Sequence, residues 1–318
     1  MQRSWWGALC VTLAVLTACT TGSSTAATSS PPPTSPTTQI SPVTTAQSTS
    51  TTTDGQQPIA PTVIVPRRPE GLSALDLDDA DLGAITLLQP SVRRVLPHDR
   101  TAVTEGLTLL DDDRLVESTG FYGRSSRRVI NLDEGSLGLV VRLEPEIYAS
   151  GVAQLKGSDP VEGIQFSRLE GRVQRFDGTD LSLASVERFD AEVNGVCSLS
   201  AQELAVSTSG GDIQLVSPTT LEARDTITPT VGSVRLPALT DLSCTDGAIW
   251  GVVGDTGVLA LLSAETGVVE SIADLSALTP AGLATTDALS GLAYRSSTET
   301  WFVTGKRWDV LYEISLAP

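Results

Sequence analysis

The chain has 318 residues, with 21 Lys+Arg against 38 Asp+Glu for a net charge of −17, and only four Cys and one His. That length holds one large domain or two ordinary ones, and 40% hydrophobic content is enough to bury a core. The acidic balance excludes nucleic acid as a partner, the single His98 excludes a multi-His zinc site, and 4% aromatic content argues against base- and sugar-stacking surfaces.

Residues 1–19 read as a secretory signal, with Arg3 ahead of an apolar run from Leu9 to Ala18 that is too short to span a bilayer. The run closes as Leu16-Thr17-Ala18-Cys19, which resembles a bacterial lipobox. The resemblance implies cleavage before Cys19 and lipidation of its sulfur, leaving an exported protein anchored to the outer face of the bacterial cell membrane. An ordinary signal with an incidental Cys19 is the alternative. Each buried CH₂ of a lipid adds ~0.8 kcal/mol of membrane affinity, so two or more chains anchor stably. Residues 20–66 are dominated by Ser, Thr and Pro, a composition with too little apolar surface to offset ordering entropy. They are expected to form a disordered tether, about 35–40 Å across as a coil.

Residues 67–318 are expected to form the folded domain, with 67–95 open between an outer strand or short helix and a continuation of the tether. Two acidic clusters, Asp76/Asp78/Asp79/Asp81 and Asp111/Asp112/Asp113, read as solvated surface, since neither has the spacing of an EF-hand loop. Cys10 leaves with the signal and Cys19 takes lipid. Cys197 and Cys244 then remain, most simply as one disulfide in an oxidising compartment. Closing that loop of about 47 residues would contribute ~4 kcal/mol in the chain-entropy model.

After residue 90, short alternating runs such as Arg128-Val-Ile-Asn-Leu, Asp212-Ile-Gln-Leu-Val and Val258-Leu-Ala-Leu-Leu predict strands. Similar turns at Asp133, Asp177, Ser217 and Ser263 recur roughly every 40 to 46 residues, the period of a β-propeller blade. The fold is therefore expected to be all-β, a five-bladed β-propeller, whereas a β-sandwich would not require regular turn spacing. Functional residues should then come from several blades, where their inner loops converge.

Five segments carry a further resemblance: Pro97-His-Asp-Arg-Thr-Ala-Val-Thr-Glu-Gly-Leu, Glu117-Ser-Thr-Gly-Phe-Tyr-Gly-Arg-Ser-Ser, Val161-Glu-Gly-Ile, Asp287-Ala-Leu-Ser-Gly-Leu-Ala-Tyr and Val303-Thr-Gly-Lys-Arg-Trp-Asp-Val-Leu-Tyr-Glu-Ile. Together, over about residues 95–316, they resemble the plant and bacterial type of glutaminyl-peptide cyclotransferase, whose fold is a five-bladed propeller. The resemblance implies a reaction on an N-terminal Gln peptide or protein. The α-amine attacks the side-chain amide carbonyl, ammonia leaves and a pyroglutamyl end remains. One positioned carboxyl group can carry the proton from amine to leaving group, and a cation can stabilise the carbonyl oxygen. The resemblance implies neither metal nor cofactor, and a monomer.

Matched to the family's segments, the Glu of Phe-Gly-Glu-Gly falls on Glu162, the expected proton shuttle, and the Lys of Thr-Gly-Lys falls on Lys306, its electrostatic partner. Trp308, two residues on, would wall the pocket unless it belongs to the core. Where the family has Phe-Thr-Gln-Gly, this chain has Val103-Thr-Glu-Gly, so Glu105 replaces a Gln among the substrate-binding positions. Asn194 and Thr240 likewise stand where the family has Trp and Asn, Gly254 stands at a second Trp, and Arg168 ends the segment matched to Gln-Leu-Thr-Trp. Two readings follow. One is a lipid-anchored cyclotransferase with an altered pocket. The other is a propeller that became a binding or structural module of the cell envelope.

Overall fold

The computed structural model describes residues 70–245 and 247–318. The expected signal, the lipidated Cys19 and the tether lie outside the described residues. Two short helices, α1 (Glu70–Ser73) and α2 (Asp79–Gly83), come first. Asp78 caps α2 by accepting from the Ala80 and Asp81 N–H groups at 2.8 Å, while the Asp81 carboxylate accepts from the Asp78 N–H. This reciprocal capping box accounts for half of the first acidic cluster. In the second cluster Asp111 closes a turn by accepting from the Asp113 and Arg114 N–H groups. Leu72, Leu75 and Leu77 are buried in the same core cluster as Ile213, Leu242 and Ile272. Residues from 70 onward therefore belong to the domain.

Strand β1 (Thr86–Pro97) is followed by an antiparallel sheet of β2 (Thr104–Leu109), β3 (Arg114–Thr119), β4 (Ser126–Asn131) and β5 (Ser136–Arg142). A second sheet holds β6 (Ala149–Gln154), β7 (Glu162–Ser167), β8 (Arg172–Asp177) and β9 (Leu183–Arg188). The third holds β10 (Val193–Ser200), β11 (Glu203–Thr208), β12 (Ile213–Val216) and β13 (Ala223–Ile227). After a small hairpin of β14 (Thr230–Val231) and β15 (Val234–Arg235) come β16 (Leu239–Thr245), β17 (Ala248–Val253), β18 (Val258–Ser263) and β19 (Val269–Asp274). The last run is β20 (Leu289–Arg295), β21 (Thr300–Gly305) and β22 (Val310–Ala317). The fold is all-β, as expected.

The final two groups do not stand apart. They form one eight-stranded sheet in the order β16-β17-β18-β19-β1-β22-β21-β20. β1 makes the join, since Thr86–Leu88 pair in parallel with β19 and Gln89–Pro97 pair antiparallel with β22. Buried aliphatic and aromatic side chains fill the core, among them Phe166 edge-on to Phe189 and Trp250 against Trp301.

The first strands of the sheets meet at the centre. β2 packs beside β6 and β20, β6 beside β10, β10 beside β16, and β16 beside β20. A repeated dipeptide lets them approach: Glu105-Gly106, Ser150-Gly151, Asn194-Gly195 and Ser290-Gly291, with Thr240-Asp241 at the remaining place. A Cβ on Gly151 would fall 2.6 Å from the Val196 nitrogen, and one on Gly195 would fall 2.7 Å from the Asp241 Cα. Backbone occupies the space that a side chain needs, so only glycine fits. Further along the same strands the Cys197–Cys244 disulfide joins β10 to β16, with the two Cα atoms 5.4 Å apart.

Candidate active site

Strand register decides which side chains can meet. In each sheet the first strand starts where the second strand ends, as in the pairs Thr104 with Thr119, Ala149 with Ser167, Val193 with Thr208, Leu239 with Val253 and Leu289 with Gly305. That end of the central strands carries Glu105, Ser150, Asn194, Thr240 and Ser290. The residues just past the second strands, including Gly120, Arg168, Ser209 and Lys306, lie beside them.

Glu105 is the centre of the cluster and is only 3% exposed. The Tyr148 hydroxyl donates to it at 2.8 Å, the Lys306 Nζ lies 3.3 Å away and an Arg168 guanidinium nitrogen lies 3.9 Å away. Burial raises the pKa of Glu105 against the opposing pull of Lys306, Tyr148 and Arg168. The cluster opens toward solvent through the half-exposed Arg168, which also faces Glu192 at 3.7 Å. The expected pairing of a carboxylate with Lys306 is present, but the carboxylate is Glu105.

Glu162 is not part of it. As the first residue of β7 it sits five positions from Ser167, at the other end of the strand, which is roughly 16 Å at the usual rise. Its N–H is held by the Ser158 hydroxyl in the loop there. The expectation of a Glu162–Lys306 pair is therefore corrected by register. A second strand begins at the far end, whereas the first strand beside it begins at the near one. On the first strand of this sheet the residue level with Glu105 is Ser150, in Ala149-Ser150-Gly151. The Ser150 hydroxyl is fully buried and points to the Val193 and Asn194 carbonyls. The recurring X-Gly-apolar triplet was the sequence signal for Ser150 and Ser290.

The remaining expected residues are placed as follows. The Asn194 side chain accepts from the Ser209 hydroxyl at 3.1 Å. The Thr240 hydroxyl is buried without a partner. Trp308 does not wall a pocket: it is fully buried, its indole N–H donates to the Asp287 carbonyl, and it packs against Gly305 directly beneath the Lys306 turn. It belongs to the core and supports the turn that presents Lys306.

Two buried groups were missed by sequence reasoning. Asp241 stands at the one central-strand position without glycine. One carboxylate oxygen accepts from the Leu107 and Leu292 N–H groups at 3.1 and 2.8 Å, and the other has no partner. Burial pushes its pKa well above the usual carboxylate range, despite those N–H donors, and the nearby Glu105 charge adds to the rise. The second is a network behind Lys306. Glu117, fully buried, accepts from the Thr104 hydroxyl at 2.6 Å, from Arg128 Nε at 2.6 Å and from His98 Nε2 at 3.1 Å. His98 Nδ1 donates to the Trp308 carbonyl at 2.8 Å. Both partners of the His98 ring are acceptors, so the ring carries a proton on each nitrogen. Burial would lower its pKa, but the Glu117 charge and hydrogen bond raise it. Burial would likewise raise Glu117, yet His98 and Arg128 hold it at about 2.

Among the described residues no group of three or more His, Cys, Asp or Glu is placed to hold a metal ion. A cleft of about 560 Å³ opens at the opposite end of the central strands, lined by Thr108, Gln154, Ser198 and the disulfide, away from Glu105.

The sequence model of the glutamine cyclotransferase family matches residues 72–316. The chain is 28% identical over 226 residues to glutaminyl-peptide cyclotransferase of Arabidopsis thaliana, a stretch that covers 69% of each. Among solved structures it superposes on the glutaminyl cyclase of Myxococcus xanthus with a TM-score of 0.66 and 24% identity, over 73% of this chain and 98% of that one. This last likeness is one of fold.

Proposed function

The chain belongs to the glutamine cyclotransferase family, and on that premise we propose that it converts the N-terminal Gln of exported peptides or proteins to pyroglutamate, with Glu105 as the proton shuttle. The α-amine forms a bond to the side-chain amide carbon, the carbon–nitrogen bond of the amide breaks, and ammonia leaves. Glu105 takes the proton from the attacking amine and returns it to the departing nitrogen. A carboxyl group with a pKa raised by burial suits both halves of that transfer. Lys306 and Arg168 supply the positive charge that the developing oxyanion needs. The carrying observation is the buried Glu105 carboxylate between Tyr148, Lys306 and Arg168 at the start of the central strands.

We further infer that the scaffold is a five-bladed propeller. In this reading the eight-stranded sheet is two blades spliced by β1, which serves as the outer strand of the blade formed by β20 to β22. Residues 1–19 would be the lipoprotein signal, Cys19 the lipid anchor, and 20–66 the tether that holds the domain off the membrane.

Ammonia release and the matching mass change of a Gln-initiated peptide test the activity. Glu105→Gln should lower turnover by about 100-fold or more, while Glu162→Gln stays near the parent rate. Equal turnover in the parent and Glu105→Gln would remove Glu105 from the mechanism. The second reading, a binding module of the envelope, draws on Asn194 and Thr240, small polar side chains at positions where the family resemblance puts Trp and Asn. Silence toward every Gln-initiated peptide would favour it.

A further inference from the structure

Beside the Glu105 cluster lies a cleft of about 480 Å³ with an unusual charge for so acidic a chain. Its lining includes Arg124, Arg128 and Arg142, and Asp99 is its one acidic residue. Asp99 is already committed, since its carboxylate sits 2.7 Å from an Arg128 nitrogen. Arg128 also binds Glu117, yet its remaining terminal nitrogen is buried without a partner. Arg124 and Arg142 have no carboxylate partner among the described residues. The Arg124 guanidinium is instead held over the Phe121 ring at 4.6 Å, which orders it without neutralising it. The cleft thus keeps two uncompensated cations in a protein whose net charge is −17.

Its position relates it to the reaction. One register row runs across the sheet through Thr104, Thr119, Ser126 and Arg142, and the last three line the cleft. Glu105 follows Thr104 directly. Gly120 is shared: it lines the cleft, and a Cβ on it would fall 2.8 Å from the Glu105 Cγ. Three strand spacings separate Thr104 from Arg142, about 14 Å, which an extended peptide covers in about four residues. Val103, Leu137 and Val140 add apolar surface to the lining.

Resting on the cyclotransferase reading, we propose that this cleft is the downstream subsite of the same site. It would bind acidic side chains about two to four residues after the N-terminal Gln, through Arg124 and Arg142. The chain is then selective for substrates with an acidic segment behind the Gln. The shared Gly120 favours the substrate's own carboxylates over a free anion, because the cleft and the reacting end are contiguous.

The test compares two peptides on the full-length protein, Gln-Ala-Ala-Asp-Glu and its neutral isostere Gln-Ala-Ala-Asn-Gln. At low salt kcat/KM should favour the acidic peptide by about 10-fold or more, chiefly through KM, and the preference should shrink as salt screens it. Arg124→Gln/Arg142→Gln should reduce the ratio to below about 2-fold. Arg142→Glu, as an independent variant, should favour a Lys-containing peptide instead. Equal kcat/KM for the two peptides, or a ratio that survives the double substitution, overturns the proposal. If no peptide is turned over, the cyclotransferase reading fails separately, and the subsite is judged by fluorescence anisotropy of the two labelled peptides. Tighter binding of the acidic one, lost in the double variant, supports it; equal affinity, or capture of inorganic phosphate without discrimination between the peptides, overturns it.

Discussion

Substituting Glu117 by Gln changes one atom of a fully buried side chain and removes the charge that holds two cations in place. The carboxyl sits at about 2 against an ordinary 4.5, a difference worth about 3 kcal/mol of folding free energy. Breaking a buried ion pair from one side costs a similar ~3–5 kcal/mol, because Arg128 and His98 stay buried with a neutral acceptor. Arg128 keeps Asp99 at 2.7 Å, which argues for the lower end. Urea unfolding of the full-length Glu117→Gln protein should therefore show a loss of about 3 kcal/mol, and the thermal midpoint should fall by roughly 6–12 °C for a domain of this size. The pH dependence carries a second signature. Glu117 is depressed, so its contribution is complete above about pH 4.5 and is lost as pH falls toward 2. His98 is raised, so its contribution is complete below about pH 6.5 and is lost as pH climbs through its folded value. The parent should be most stable between those limits, and the variant should lose both slopes. A loss under about 1 kcal/mol, or a variant with the parent's pH profile, would refute the ion network as described.

Three further outcomes are expected. Glu105 has a pKa raised by burial, so the acid limb of kcat/KM should be shifted upward from that of an ordinary Glu and vanish in Glu105→Gln. Asp241 is raised well above its unfolded value, so folding favours its protonated form and its presence erodes stability as pH rises from about 4. Asp241→Asn should remove that slope and leave the protein at least as stable at pH 7, measured by urea unfolding across pH. Reducing the Cys197–Cys244 disulfide, or Cys197→Ser/Cys244→Ser, should cost about 2–4 kcal/mol by the same method.

Much of the scaffold was legible because each part repeats. Alternating strands and regular turns announced the all-β fold, and the two Cys left outside the expected signal and lipobox announced the disulfide. Lys306, Glu105, Asn194 and Thr240 were found through the family resemblance, whose segments fall on strand ends that the structure brings together. Glu162 misled for a physical reason. Val161-Glu-Gly-Ile looks like the other Glu-Gly dipeptides, and only hydrogen-bond register tells a first strand from a second. Asp241 was invisible because its environment, two backbone N–H groups from strands far apart in sequence, exists only once the centre is assembled. Trp308 was ambiguous for a similar reason: its indole is committed to Asp287, a partner 21 residues away.

The pairing of β1 with β22 has a consequence for how the domain is made. Gln89 meets Ala317, almost the whole domain apart in sequence. The separate sheets can form from neighbours as they emerge, but this contact waits for the last residues of the chain. Such long-range closure slows folding and delays the final cooperative step. Loss of the final strand would then leave β1 without its partner and the join between the two halves of the eight-stranded sheet undone, so a truncation of a few residues should act on the whole domain.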